Sequence, residues 1–161
     1  CEIGGGIRSM DTVDAYIGAG IKRVILGTAA VNDEAFLKEA VAEFGDKVAV
    51  GVDIKDGFVA IKGWLEKSQL TTEEFFEKME GLGVKNIICT DISKDGAMKG
   101  TNLALYKSLS EKFKIDLTAS GGVSSMDDIE NLRNMDLYGA IIGKAYYTGA
   151  IDLKKALEVA K

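Results

Sequence analysis

Histidine is missing from all 161 residues. Proton transfer near neutral pH must therefore use a carboxylate, a hydroxyl, a lysine or a thiol, because there is no imidazole to titrate. The two cysteines, Cys1 and Cys89, are too few and too unpatterned for a disulfide scaffold. That excludes the small stapled folds and favours a reducing cytoplasm. No apolar run reaches the length of a membrane span and no signal-peptide pattern is visible, so no membrane partner is expected. Basic charge is also scarce: 20 Lys and Arg stand against 25 Asp and Glu, a formal net charge of −5. This argues against a nucleic-acid or anionic-membrane surface, so a phosphorylated ligand must be held by local amides and a few cations. Proline is absent too, and nothing in the sequence accounts for it.

Glycine is abundant, at 19 residues, and two glycine-rich turns copy each other. The stretch from Gly4 to Ala29 aligns without a gap on Ser120 to Ala145, at a constant offset of 116 residues. Gly5/Gly121, Gly6/Gly122, Ser9/Ser125, Met10/Met126, Asp11/Asp127, Ile25/Ile141, Gly27/Gly143 and Ala29/Ala145 are identical pairs. Each copy reads as a strand end, a Gly-Gly turn, a Ser-started helix and a second strand ending in glycine. Glycine lets a backbone approach an anion closely, and helix-start amides carry partial positive charge. A duplicated anion cradle implies a ligand with a phosphate at each end. Its candidate residues are Gly5, Gly6, Arg8, Gly27 and Thr28 in one copy, and Ser120, Gly121, Gly122, Gly143 and Lys144 in the other.

The rest of the chain alternates monotonously. Apolar strand patterns fall near 1–3, 23–27, 47–53, 86–91, 115–120 and 139–143, and helical patterns near 10–20, 33–44, 72–82, 103–113, 126–134 and 152–160. Helix starts are expected at Ser9, Asn32, Thr71 (with Glu74 as a capping box), Ser125 and Asp152. The strand cores RVIL, VAVGV, NIIC and GAIIG are nearly continuous apolar runs, the pattern of parallel strands buried on both faces. The chain reads as an α/β protein with one domain over 1–161. A doubly wound sheet can use six βα units, but the repeat relates units four apart, half of an eight-unit barrel. The expected architecture is a partial (βα)8 barrel of units three to eight, with the first two units absent. Asp53 would then have a symmetry mate roughly 60–65 residues upstream of Cys1.

Candidate chemistry lies at the carboxyl ends of the strands, where barrels build their sites. Asp53 reads either as a general acid or base or as a turn former in Asp53-Ile54-Lys55-Asp56-Gly57. Thr90 and Asp91 either position a substrate or cap the backbone at a strand end. Trp64 either stacks on a planar ring or packs beneath its loop. Cys89 neighbours Thr90, but strand alternation turns it the other way, as a buried structural thiol. The run from Asp91 to Gly96 resembles part of a cation loop yet lacks the remaining oxygen ligands, so no metal is expected.

The segments GGGIRS, GVDIKDG, KGW, TDISKDGAMKGTN, ASGGVSS and GKAYYTG, in this order, resemble the phosphoribosylformimino-aminoimidazole carboxamide ribotide isomerases of histidine biosynthesis. The resemblance covers essentially the whole chain and implies a (βα)8 barrel made of two half-barrels. It also implies a bis-phosphorylated substrate, no cofactor, a monomeric parent, and an Amadori rearrangement of an aminoaldose to an aminoketose. It makes Asp53 the catalytic acid and Thr90 the hydroxyl supporting the sugar; Trp64 and Asp91 are the candidate substrate contacts read from the residues themselves. A second catalytic aspartate is expected outside these 161 residues. Lys144 stands where arginine is commoner, keeping the charge without the bidentate fork. Two readings compete with it: the sister cyclase of the same pathway, a lyase with a glutaminase partner, and an inactive phosphate-binding fragment.

Overall fold

The computed structural model describes residues 1–61 and 66–161. The parallel strands are β1 (Glu2–Gly4), β2 (Arg23–Leu26), β3 (Val48–Lys55), β6 (Asn86–Asp91), β7 (Asp116–Ser120) and β8 (Gly139–Ala140). A hairpin of β4 (Phe58–Ile61) and β5 (Glu66–Thr71) extends antiparallel from β3. The helices are α1 (Met10–Gly18), α2 (Thr28–Asn32), α3 (Glu34–Phe44), α4 (Thr72–Gly81), α5 (Leu103–Lys112), α6 (Met126–Asn134), α7 (Lys144–Tyr147) and α8 (Leu153–Val159). The parallel strands lie side by side in chain order, β1-β2-β3-β6-β7-β8. A doubly wound sheet reverses its order at a switch point; this one does not, so it forms a continuous stretch of barrel wall with six βα units.

Burial follows from strand alternation. Val24, Leu26, Val48, Val50, Val52, Ile87, Cys89, Leu117 and Ala119 are buried within one core, together with Phe36, Leu37, Phe75, Phe76, Tyr106, Leu109, Ile129 and Leu132 from the helices. The opposite face carries Ile25, Gly51, Asp53, Ile88, Thr90, Thr118 and Ser120, all half-buried. The expectation of strands buried on both faces holds along the helix side, and on the opposite face only near the amino ends of β2, β3 and β6, at Arg23, Ala49 and Asn86. The concave face is lined by small and polar residues as well as isoleucines, and no helix among the described residues covers it.

Three boundaries differ from the sequence expectation. The cap of α3 is Asp33, whose carboxylate accepts from the Phe36 amide at 3.0 Å; Asn32 instead ends α2. The last strand stops at Ala140, although the Ile141 amide still donates to the Ala119 carbonyl at 2.8 Å. The turn near Asp53 lies at Asp56-Gly57, with φ of 52° and 82°, where Lys55 pairs with Phe58. Two consecutive positive φ values are what a tight two-residue hairpin demands, and Asp-Gly supplies them. Asp53 therefore sits inside a strand. Ser9, Thr71, Ser125 and Asp152 cap their helices as expected, and Thr71 and Glu74 form the reciprocal box.

At the amino end of the strands, buried Arg23 ties the curved sheet together. Its guanidinium donates to Glu2 at 2.6 Å, to the Asp46 carbonyl at 3.0 Å and to the Tyr138 hydroxyl at 3.0 Å, and sits 5.3 Å from the Tyr138 ring centre. Glu2 belongs to β1, and Tyr138 directly precedes β8, so one side chain joins both outer strands. Arg23→Ala should cost about 2–3 kcal/mol, because it leaves a partly buried carboxylate, a carbonyl and a phenol without their charged donor. Urea denaturation measures this, and a loss below about 0.5 kcal/mol would show that the contact does not hold the sheet.

Candidate active site

The sequence repeat is a repeat of backbone. Gly5 and Gly121 have φ of 105° and 94°, and Gly6 and Gly122 have 69° and 81°. Ser9 and Ser125 cap α1 and α6 in the same extended conformation, and those two helices start and stop 116 residues apart. Gly27 and Gly143 precede α2 and α7 with nearly equal angles, φ −97° and ψ −113° against φ −101° and ψ −105°. Each copy encloses a pocket. Gly5, Gly6, Ile7, Arg8, Ile25, Gly27 and Ala29 line the first, while Ser120, Gly121, Gly122, Val123, Ile141, Gly143 and Lys144 line the second, with Asp95, Gly96 and Met98 added. The expected cradle residues are thus gathered into two matching concavities. Thr28 opens α2, but its side chain lies outside the described residues.

The cations are not matched. Arg8 is equivalent to Ser124, and Lys144 to Thr28, so each pocket takes its positive side chain from a different place in the repeat. Lys144 Nζ reaches the Gly96 carbonyl at 3.4 Å across the second pocket.

Between the pockets runs a row fixed by strand register. Asp53 of β3 pairs with Thr90 of β6, and Thr90 with Ser120 of β7. At about 4.8 Å between strands, the row spans roughly 10 Å. Gly27 lines both the first pocket and the pocket of Asp53, whose other walls are Val31, Gly51, Val52, Val59 and Ala60. Ser120 ends the row and lines the second pocket. The concave face therefore offers a continuous floor: cradle, carboxylate, hydroxyl, hydroxyl, cradle.

Other side chains hold this floor in place. Tyr106 is fully buried; its hydroxyl donates to the Ser120 carbonyl at 2.6 Å, lies 3.0 Å from that of Cys89, and accepts from the Ser120 amide at 3.3 Å. It joins β6 and β7 just behind Thr90 and Ser120, and no motif signalled it. Asp91 is buried, with one oxygen accepting from the Ser93 amide (2.9 Å) and hydroxyl (2.6 Å) and the other from Asn102 at 2.6 Å. Both oxygens are engaged in holding the loop after β6. Cys89 is buried as expected, and burial pushes its thiol far above the usual range, aided by Asp91 and Asp53. Trp64 lies outside the described residues. Among the described residues, no cluster of acidic and sulfur side chains has the arrangement of a metal site, and no helix is long and apolar enough to cross a membrane.

The two glycine turns need glycine for different reasons. A Cβ on Gly121 would lie 2.5 Å from the Asp91 carbonyl oxygen, and one on Gly122 would lie 2.5 Å from that of Gly100. Among the described residues, no atom lies within 4 Å of a Cβ built on Gly5 or Gly6. At the second turn the end of β6 and the loop after it already leave no space for a side chain. Gly121→Ala should lower the melting temperature clearly more than Gly5→Ala, which meets only the left-handed penalty of about 1–2 kcal/mol. Equal shifts in thermal melts would contradict the packing account.

Asp128, in the first turn of α6, is a further residue missed by motif. Burial pushes its pKa up, but hydrogen bonds from Ser124, Thr101 and Ser125 outweigh this and hold it below the usual carboxylate value. A depressed folded pKa gives stability that is complete above the unfolded value and is lost as pH falls through the folded one, here below about pH 4. In urea titrations between pH 7 and pH 3, the wild type should lose more stability than Asp128→Asn; parallel curves would contradict this.

Comparison with known proteins agrees with this geometry. The family model described as "Histidine biosynthesis protein" matches residues 1–152. A Clostridium beijerinckii protein named 1-(5-phosphoribosyl)-5-((5-phosphoribosylamino)methylideneamino) imidazole-4-carboxamide isomerase is 52% identical over 160 residues, covering 99% of this chain and 67% of that protein. Proteins of the same name from Clostridium acetobutylicum and Clostridium botulinum (strain Hall) are each 49% identical over 158 residues, covering 98% of this chain and 66% and 65% of their own lengths. The chain spans about two thirds of the length of these relatives.

Proposed function

Because the chain belongs to the histidine biosynthesis protein family, we propose that it carries most of the site of an isomerase that converts a bis-phosphorylated aminoaldose to the aminoketose. The observation that carries the proposal is the continuous floor, with an anion cradle at each end and the row Asp53, Thr90, Ser120 between them. The relatives' name contains two phosphoribosyl groups, which suits a site with two cradles. The sister cyclase shares such cradles in principle, but the relatives at about 50% identity carry the isomerase name.

In this reading Gly5, Gly6, Arg8, Gly27 and Thr28 hold one phosphate. Gly121, Gly122, Gly143 and Lys144 hold the other, with Ser120 at the cradle's inner edge. The Asp53 carboxyl donates a proton to the ribose ring oxygen as the nitrogen lone pair forms the C1=N bond and the ring C1–O bond opens, giving the open-chain protonated imine. A second base then removes the proton from C2, and the resulting enol becomes the ketone as its hydroxyl proton is lost and C1 is protonated. Thr90 hydrogen-bonds the open-chain hydroxyls, and the Tyr106 bonds keep its strand end still. No redox partner is needed, because the aldose carbon is reduced as its neighbour is oxidised within one molecule.

Asp53→Asn in the full-length protein preserves size and most hydrogen bonding but removes the titrating proton. Turnover should fall about 10²–10⁴-fold while substrate binding stays near wild type. Asp95→Asn, on the wall of the second cradle, is the milder control. Near-normal turnover in Asp53→Asn would remove Asp53 from the mechanism.

A further inference from the structure

One face of α5 grips the chain on both sides of Thr90. Asn102 caps that helix, and the Tyr106 amide donates to its carbonyl at 3.2 Å, so the two side chains lie one turn apart. Asn102 donates to the Asp91 carboxylate at 2.6 Å, immediately after Thr90. Tyr106 reaches the backbone itself. The Ala119 carbonyl accepts from the Ile141 amide and so faces β8, while the Ile92 amide donates to Ile54 and so faces β3. Backbone polar groups alternate sides along a strand. The Ser120 amide and carbonyl therefore face β6, and the Cys89 carbonyl and Asp91 amide face β7. These four groups make the last rung between the two strands, at the pair Thr90 and Ser120.

The Tyr106 hydroxyl meets all four. It donates to the Ser120 carbonyl at 2.6 Å, lies 3.0 Å from the Cys89 carbonyl and accepts from the Ser120 amide at 3.3 Å. The Asp91 amide bonds to it as well, and so does the Thr101 hydroxyl, which reaches the Gly121 carbonyl at 2.8 Å. Burial pushes the phenol well above its usual value, so the proton it donates stays on it. A rung between parallel strands can close on itself, so its groups need no helix to satisfy them. What the hydroxyl adds is position: it ties the two peptide groups flanking Thr90, and both polar groups of Ser120, to a fully buried ring. All these contacts lie among β6, β7, α5 and the loops joining them.

We propose that Tyr106 is the positioning residue of the row, fixing the last β6–β7 rung so that the Thr90 hydroxyl meets the open-chain sugar in one alignment. This rests on the isomerase reading above, in which Thr90 bonds the open-chain hydroxyls.

Tyr106→Phe in the full-length protein keeps the ring and removes only the hydroxyl. Small misplacements of a reacting group are costly, so kcat should fall about tenfold with KM within about threefold. A double-mutant cycle with Thr90→Ala separates positioning from general support. Once the Thr90 hydroxyl is gone, Tyr106→Phe should cost less than about twofold in kcat. A purely structural tyrosine would cost the same factor in both backgrounds. Leu109→Ala, buried on the same helix and away from the rung, is the structural control; it should lower the melting temperature and change kcat equally in both backgrounds. Hydrogen exchange reads the rung without any turnover. In Tyr106→Phe the Asp91 and Ser120 amides should exchange about tenfold faster, while those of Cys89 and Thr118, one rung back, stay as in the wild type. Should Tyr106→Phe fold poorly, the wild type decides: the Tyr106 hydroxyl proton should give a resolved resonance with a nuclear Overhauser contact to the Ser120 amide. An equal cost in both backgrounds, unchanged exchange at Asp91 and Ser120, or no such hydroxyl resonance overturns the proposal. If the full-length protein has no isomerase activity, the reading of the reaction fails by itself, and exchange still decides whether Tyr106 holds the rung.

Discussion

Asp53 pairs with Thr90, Thr90 pairs with Ser120, and this lateral register of β3, β6 and β7 sets both the core and the floor of the site. Side chains alternate faces along a strand, so a slip of one residue would carry Val52, Cys89 and Ala119 to the concave side and drive Asp53 and Thr90 into the apolar core. Burying an unpaired carboxylate there is far more costly than exposing a valine, so the register that packs the helices also presents the chemistry. Tyr106 reinforces it by bonding backbone of both β6 and β7 from within the core. Arg23 does comparable work at the other end of the strands.

Much of this was legible in the amino-acid sequence because the signals were local or repeated. The helix caps at Ser9, Thr71, Ser125 and Asp152 are short-range chemistry, and the 116-residue offset translates directly into matching backbone angles. The hairpin after β3 was missed, although Asp56-Gly57 is a strong two-residue turn signal; it was read as a turn near Asp53 rather than as a strand connection. Asn32 and Asp33 are adjacent residues of similar capping strength, and the short helix α2 ahead of them settles which one caps.

The remaining gaps concern side chains whose partners are distant in sequence. Nothing near Asp91 announces that Asn102 will engage its second oxygen, and nothing near Tyr106 points to the ends of β6 and β7. Gly121 was singled out for approach to an anion, whereas its neighbour in the fold is the Asp91 carbonyl. A motif shows that a side chain is excluded; only packing shows what excludes it.

The unequal placement of Arg8 and Lys144 bears on how a pseudo-symmetric pocket tells head from tail. A near twofold site offered a ligand with similar ends faces a degeneracy: the molecule can bind in reverse, with its reactive carbon turned away from the single carboxylate of the row. Identical cradles would leave the two orientations almost equal in free energy, and up to half of the bound molecules would be idle. Placing the guanidinium on the turn before α1 in one copy, and the ammonium on the first residue of α7 in the other, sets the two charges at different places in the repeat. A preference of about 1.4 kcal/mol between orientations already reduces the reversed complex to roughly one molecule in eleven. In the proposed reading the repeat supplies two anchors, and its imperfections give the site a polarity.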